Sequence, residues 1–204
     1  MSAEADKTRA ETLLLQALER DGRVDDTYEF ALAHALAHEL VVGVMKSLLV
    51  DAFVAETERA TSFYVLKDEA RDFLARGSPE LQLFRAIPEA GATRAELEAA
   101  VGAATLKVGQ GACMKNRWIR LDKAQGKFFR SVEQVQDDAA ELLRRVEEAH
   151  GALDAVSKDE AQTLKRRKLV ELRTRKSYAL SKGANFAVQR KKQAAGLTKE
   201  MLEG

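Results

Sequence analysis

Seven cationic side chains crowd the stretch from Lys165 to Lys176: Lys165, Arg166, Arg167, Lys168, Arg173, Arg175 and Lys176, with Lys182 a short way beyond. Cations at this density can neutralise several phosphates of a polyanion and release its condensed counterions. A solvated charged face, or a nuclear-import patch, is the plainer reading of the same run. A smaller group, Lys115, Asn116 and Arg117, closes the segment "GQGACMKN", and Arg120 and Lys123 follow it, so that several donors could reach phosphates from one edge. Packing is the plainer alternative there. Met114 stands four residues before Trp118 and can pack with it, and a cation suits the negative end of a helix in any case.

Other chemistries find little support. The glycines of "GQG" lack the spacing to a Gly-Lys-Ser/Thr triplet that a phosphate-cradling loop needs, and they do not complete a dinucleotide fingerprint. His34 and His38, four apart, could put two metal ligands on one helical face, but no third ligand accompanies them. Cys113 is the only cysteine, so no internal disulfide and no spaced cysteine-histidine zinc set can form. No acid is paired with a base, no nucleophile has an activating histidine, and no carboxylates cluster as metal ligands would. The expectation is a binder with no catalytic residue, no metal and no cofactor of its own.

The formal charge of +1 conceals an asymmetry. Residues 1–104 carry about 11 basic against 19 acidic side chains, whereas residues 158–192 carry about 12 against 3. The basic end is therefore the candidate anion-binding surface, and the acidic half, whose third helix offers only Lys46 as a cation, suits core packing or a protein partner. No apolar run approaches the roughly 18 residues of a membrane span, and "MSAEADKTRAE" has no signal-like pattern, so no membrane partner and a cytoplasmic location are expected.

The elements that must carry these side chains are mainly helices. Aromatics make up 6% of the chain and there are two prolines, while Ala, Leu, Glu, Lys and Arg dominate, which points to a mainly α protein with short β-hairpins, of the α+β class. Leu14, Leu15 and Leu18 mark a first helix over 8–20. The apolar run from Glu29 to Phe53 is too rich for one exposed helix and divides into two with a bend near His38. Phe53–Ala55 and Phe63–Leu66 then read as a hairpin. The order recurs after "RGSP": a helix over 80–86, a second opened by Thr93 with Glu96 as a capping box, a third over "KVGQGACMKN", and a hairpin from "RWIRLD" and "KFFRSV". A long amphipathic helix over 134–150 leads to a helix capped by Ser157 and Glu160, and Tyr178–Leu180 with Phe186–Val188 suggest a third wing. Three helices and a hairpin form a winged helix-turn-helix. The expected modules are 1–78, 79–133 and 134–192, with 193–204 as a linker carrying one short possible helix.

"KVGQGACMKNRWIRLDK" (107–123) and "KRRKLVELRTRKSYALSKGANFAV" (165–188) resemble the α subunit of the cytosolic phenylalanine-tRNA ligase of eukaryotic and archaeal type. "VVGVMKSL" (41–48) and "LFRAIPEAGATRAEL" (83–97) extend the resemblance in the same order over nearly the whole chain. What it implies is the family's N-terminal extension of three DNA-binding-type folds, which docks on the body of tRNA(Phe) near the elbow by shape, phosphates and 2′-hydroxyls. It further implies a separate class II catalytic domain that uses ATP and Mg²⁺, and a β-subunit partner in an (αβ)₂ heterotetramer. None of the catalytic motifs lies in these residues, so an isolated extension is expected. The matching positions expected to contact tRNA are Lys115, Asn116, Arg117, Lys165, Arg166, Arg167, Lys168, Arg173, Arg175, Lys176 and Lys182. Two other classes compete: a winged-helix DNA-binding regulator, and a protein-interaction scaffold built on the acidic first module and the amphipathic helix after residue 134.

Overall fold

The computed structural model describes residues 3–190. The order of elements is α1 (Ala3–Asp21), β1 (Arg23–Val24), α2 (Thr27–Ala33), α3 (His38–Val50), β2 (Val54–Leu66), α4 (Asp68–Arg76), α5 (Pro79–Ala86), β3 (Ala92–Thr93), α6 (Arg94–Val101), α7 (Ala103–Lys115), β4 (Ile119–Asp122), β5 (Lys127–Arg130), α8 (Asp138–Glu148), a 3₁₀ turn (Leu153–Ala155), α9 (Lys158–Arg166) and β6 (Val170–Lys182). Helix dominates, and the strands form two small sheets, ordered β1-β6-β2 and β3-β5-β4. The expected α+β class is the one observed.

The chain parts into two compact units. The first comprises residues 1–61 and 174–204, of which 3–61 and 174–190 are described. Here α1 buries Leu14, Leu15 and Leu18 against Val41, Met45 and Leu48 of α3, and full burial of a leucine contributes about 1.5–3 kcal/mol. Asp26 starts α2 by accepting from the Tyr28 and Glu29 N–H groups. The break near His38 falls where expected, between Ala33 and His38.

The second unit, residues 62–173, holds two hydrophobic cores. One gathers α5, α6, α7 and the β3-β5-β4 sheet around Leu83, Phe84, Ile87, Leu97, Ile119 and Phe128. This is the winged module that the sequence suggests, and Thr93 caps α6 through the Glu96 N–H. The other core joins Phe73 of α4 and Tyr64 to Leu143 and Val146 of α8, Leu164 of α9 and Leu169. Ser157 and Glu160 form the expected capping box at the start of α9.

Three expectations need correction. Residues 53–66 do not turn back as a hairpin: 54–66 is the single strand β2, and its partner is β6, more than a hundred residues away. The third wing is likewise absent among the described residues, because 170–182 is one strand and 186–188 is not extended sheet. The amphipathic helix is shorter than 134–150, starting only at Asp138 behind the Asp137 cap. The expected modules are each continuous in sequence, but the core containing α8 and α9 also takes Tyr64, Ala70 and Phe73 from before the middle module. The linker 193–204 and its short helix lie outside the described residues.

Candidate nucleic-acid interface

The two cationic groups stand at equivalent joints. At the end of α7, the Arg117 N–H donates to Met114 O (3.1 Å) and the Trp118 N–H to Cys113 O (2.9 Å). At the end of α9, the Lys168 N–H donates to Lys165 O (3.0 Å) and the Leu169 N–H to Leu164 O (3.0 Å). This closure turns the chain out of a helix by putting one residue in the left-handed region, a place that glycine usually fills. Here Arg117 (φ 60°) and Lys168 (φ 57°) fill it, and each is followed by an apolar residue and a strand. The same joint ends α3, with Ala52 (φ 57°) and the Phe53 N–H donating to Leu48 O (3.0 Å), but there the left-handed residue is uncharged and the capping residue is an acid, Asp51, so no cation is presented. A cation is well placed at such an end, since the last carbonyls of the helix leave a partial negative charge.

The second unit brings the two joints to one place although about fifty residues separate them in sequence. Lys115 and Asn116 of α7, together with Arg166 and Arg167, line an open groove of ≈ 750 Å³ that also exposes Gly111 and Ala112. The groove as a whole is not a phosphate channel: Glu80, Asp138, Glu141, Asp159 and Glu160 line it too. The attraction for a polyanion rests with the exposed cations at the helix ends. Lys115, Asn116, Arg117, Lys165, Arg166 and Lys168 are all exposed, and among the described residues none of them makes a side-chain hydrogen bond or ion pair.

The remaining five expected contacts are engaged within the chain. Arg167 is turned inward, with Nη1 and Nη2 donating to the two oxygens of Glu80 at 2.9 and 2.8 Å and its guanidinium 5.1 Å from the centroid of the Phe73 ring. Only 19% of its side chain and 6% of that of Glu80 is exposed. Arg173, Arg175, Lys176 and Lys182 lie on β6 rather than on a helix with the first four. Arg173 pairs with Glu171 (3.2 Å), Lys176 with Glu58 (3.3 Å), Arg175 stacks 3.4 Å from the centroid of the Tyr28 ring, and Lys182 lies 5.0 Å over Phe186. The ion pairs of Arg173 and Lys176 are exposed and weak, so a competing phosphate could displace them, whereas Arg167 cannot leave Glu80 without burying an unpaired carboxylate.

Glu80, which no sequence pattern singled out, is central to this arrangement. It sits in the first turn of α5, a common place for an acid, and nothing local distinguishes it. Burial pushes its carboxyl up, but the ion pair and hydrogen bonds from Arg167, with smaller help from its own backbone and Ser78, hold it below the ordinary value. Its backbone oxygen accepts from Cys113 Sγ at 3.1 Å, and burial pushes that thiol up to about 12. Beside it, the bare Cα of Gly109 faces the Pro79 carbonyl: a Cβ there would lie 2.6 Å from that oxygen. The first glycine of "GQG" thus serves the close approach of α7 to α5. His34 and His38 do not converge as ligands. His34 packs on Phe30 and His38 bonds Thr27, and among the described residues no three His, Cys, Asp or Glu side chains group as a metal site.

Comparison with known proteins identifies relatives of the chain. Residues 78–135 match the family model described as PheRS DNA binding domain 3, and residues 6–62 match PheRS DNA binding domain 1. These matches agree with the tandem winged-helix reading of the fold. The chain is 40% identical over 198 residues to the phenylalanine–tRNA ligase alpha subunit of Gallus gallus, covering 93% of this chain and 44% of that protein. It is 36% identical over 202 residues to a phenylalanine–tRNA ligase alpha subunit of Xenopus laevis and 34% identical to that of Homo sapiens, in each case over 97% of this chain and 40% and 39% of the relative. The chain thus spans less than half the length of these curated relatives.

Proposed function

We propose that this chain, which belongs to the phenylalanine–tRNA ligase alpha-subunit family along nearly its whole length, is the non-catalytic region of that subunit that docks the body of tRNA(Phe). Contact is made through backbone phosphates and shape, not base reading. The observation that carries the reading is a pair of cationic helix ends, Lys115, Asn116 and Arg117 at the close of α7 and Lys165, Arg166 and Lys168 at the close of α9, exposed and without side-chain partners among the described residues, of which Lys115, Asn116 and Arg166 line one groove. Arg173, Lys176 and Lys182 of β6 are auxiliary contacts, reached by exchanging weak surface interactions for phosphate. Activation of phenylalanine with ATP and Mg²⁺ and its transfer to tRNA belong, on this reading, to a class II catalytic domain outside these residues, working with a β subunit in a cytoplasmic (αβ)₂ assembly.

The test is tRNA binding by this chain as salt is raised. Each phosphate neutralised adds about 0.7–0.9 to the slope of log affinity against log salt, so five cations at the two joints predict a slope of roughly 3.5 to 4.5. Replacing Lys115, Arg117, Arg166 and Lys168 by glutamate should abolish most of it. An unchanged affinity would overturn the reading, and a preference for duplex DNA over tRNA at equal phosphate concentration would favour a DNA-binding regulator instead.

A further inference from the structure

We infer that Glu80 is a positioning residue for RNA docking: although it is an acid set among the cations, it strengthens binding because it holds both cationic helix ends in place. The inference rests on the tRNA-docking reading above. Glu80 meets each limb of the site through a different atom group. Its carboxylate receives both ends of the Arg167 guanidinium, and Arg167 lies between Arg166 and Lys168 at the close of α9. Its backbone oxygen receives Cys113 Sγ, and Cys113 lies two residues before Lys115 at the close of α7. The carboxylate does not face the RNA as a free charge, since it is buried and neutralised by its bidentate partner.

The arrangement separates residues that look alike in sequence. In the run from Lys165 to Lys168, one cation is turned inward to fix the direction in which the other three point. Asn116 and Arg167 occupy the same capping position on their helices, with φ −81° in both, yet Asn116 is exposed and Arg167 is bound. The α9 limb is therefore anchored by its capping side chain, and the α7 limb by the contacts of Cys113 and Gly109 with α5.

Charge and positioning make opposite predictions, which gives a decisive experiment on the full chain. Removing a negative charge from a cationic site strengthens binding to a polyanion if only the net field counts. Loss of a positioning contact instead weakens it. Glu80→Gln should weaken tRNA binding about five- to tenfold, within the range expected for coupled neighbours, and should reduce the salt slope as the α9 cations lose register. Arg167→Lys keeps the charge and loses the fork, and should weaken binding similarly. The double variant Glu80→Arg with Arg167→Glu restores an ion pair of opposite direction and should recover part of the affinity. Circular dichroism and thermal melting, run alongside, establish that each variant is folded at the binding temperature. If wild-type chain binds tRNA with a steep salt slope and both single variants bind as well or better with the slope unchanged, the positioning role is overturned while the docking reading stands. If Glu80→Gln does not fold, Arg167→Lys and the swapped pair decide the matter by the same criteria. If the wild-type chain shows no salt-dependent binding at all, both fall together.

Discussion

Arg117 and Lys168 end two different helices in the same left-handed conformation, φ 60° and φ 57°, and both side chains are exposed. A side chain in this region is strained relative to glycine, so each position gives up some stability to present a cation. Replacing either by glycine should leave stability unchanged or raise it by up to about 1 kcal/mol, the relief of strain being partly offset by the freer unfolded chain. The affinity for tRNA should fall in the same variants. Thermal melting and tRNA titration on Arg117→Gly and Lys168→Gly check both signs at once. A loss of affinity accompanied by a lower melting temperature would count against this account.

The two glycines of "GQG" should behave oppositely. A methyl group on Gly109 would meet the backbone oxygen of Pro79 at 2.6 Å, and neither helix can yield cheaply, so Gly109→Ala should cost about 1–3 kcal/mol. Gly111 is exposed within the same helix and has nothing within 4 Å of its added carbon. Gly111→Ala should therefore gain about 0.5–1 kcal/mol from helix propensity alone. Denaturant unfolding of the two variants measures the difference, and equal effects would show that the approach of α7 to α5 is not what the first glycine serves.

Cys113 offers a reporter of that same contact. Its thiol is fully buried, donates to Glu80 O, and is pushed up by burial to about 12, so at pH 8 it stays in the unreactive thiol form. Native protein should resist alkylation by iodoacetamide, and the unfolded chain should react at the rate of an ordinary cysteine. Gly109→Ala should accelerate labelling in native buffer by opening α5 from α7. Rapid labelling of the native wild-type chain would contradict the buried contact.

The middle module was legible because its signals are local. Thr93 caps α6 three residues before Glu96, and the wing strands are joined by a turn ending at Gly126. The pairing of β2 with β6 was not, since apolar residues at 53–55 and 63–66 fit a hairpin as well as one long strand whose partner lies at the other end of the chain. For the site, the two cationic groups were visible as composition, but not which members are free. Within "KRRK" phase narrows the choice without settling it: Arg167 and Lys168 stand three and four residues after the buried Leu164 and both fall on its face by helical spacing, and only the exit of the chain from the helix at Lys168 (φ 57°) leaves that side chain exposed. The partner, Glu80, is 87 residues away, and no spacing rule could have joined them.

The first unit should weaken in mild acid because of His38. Its Nε2 lies 2.9 Å from Thr27 Oγ1, a hydroxyl that also accepts from the Tyr178 N–H at 3.1 Å. Burial lowers the affinity of His38 for a proton; the negative charge of Asp26 opposes this and the positive charge of Arg175 adds to it, leaving the folded value below the ordinary 6.5. The unfolded chain therefore takes up this proton first. The contribution is complete above pH 6.5 and is lost as pH falls from there through the lower folded value. Glu80 acts in a different window: its folded value is also lowered, so its contribution is complete above the ordinary 4.5 and is lost only as pH falls below that. Melting temperatures measured between pH 7.5 and 5.5 should decline, and His38→Gln should flatten the decline without altering the further loss below pH 4.5. A decline of the same size in His38→Gln would assign the acid sensitivity to other groups.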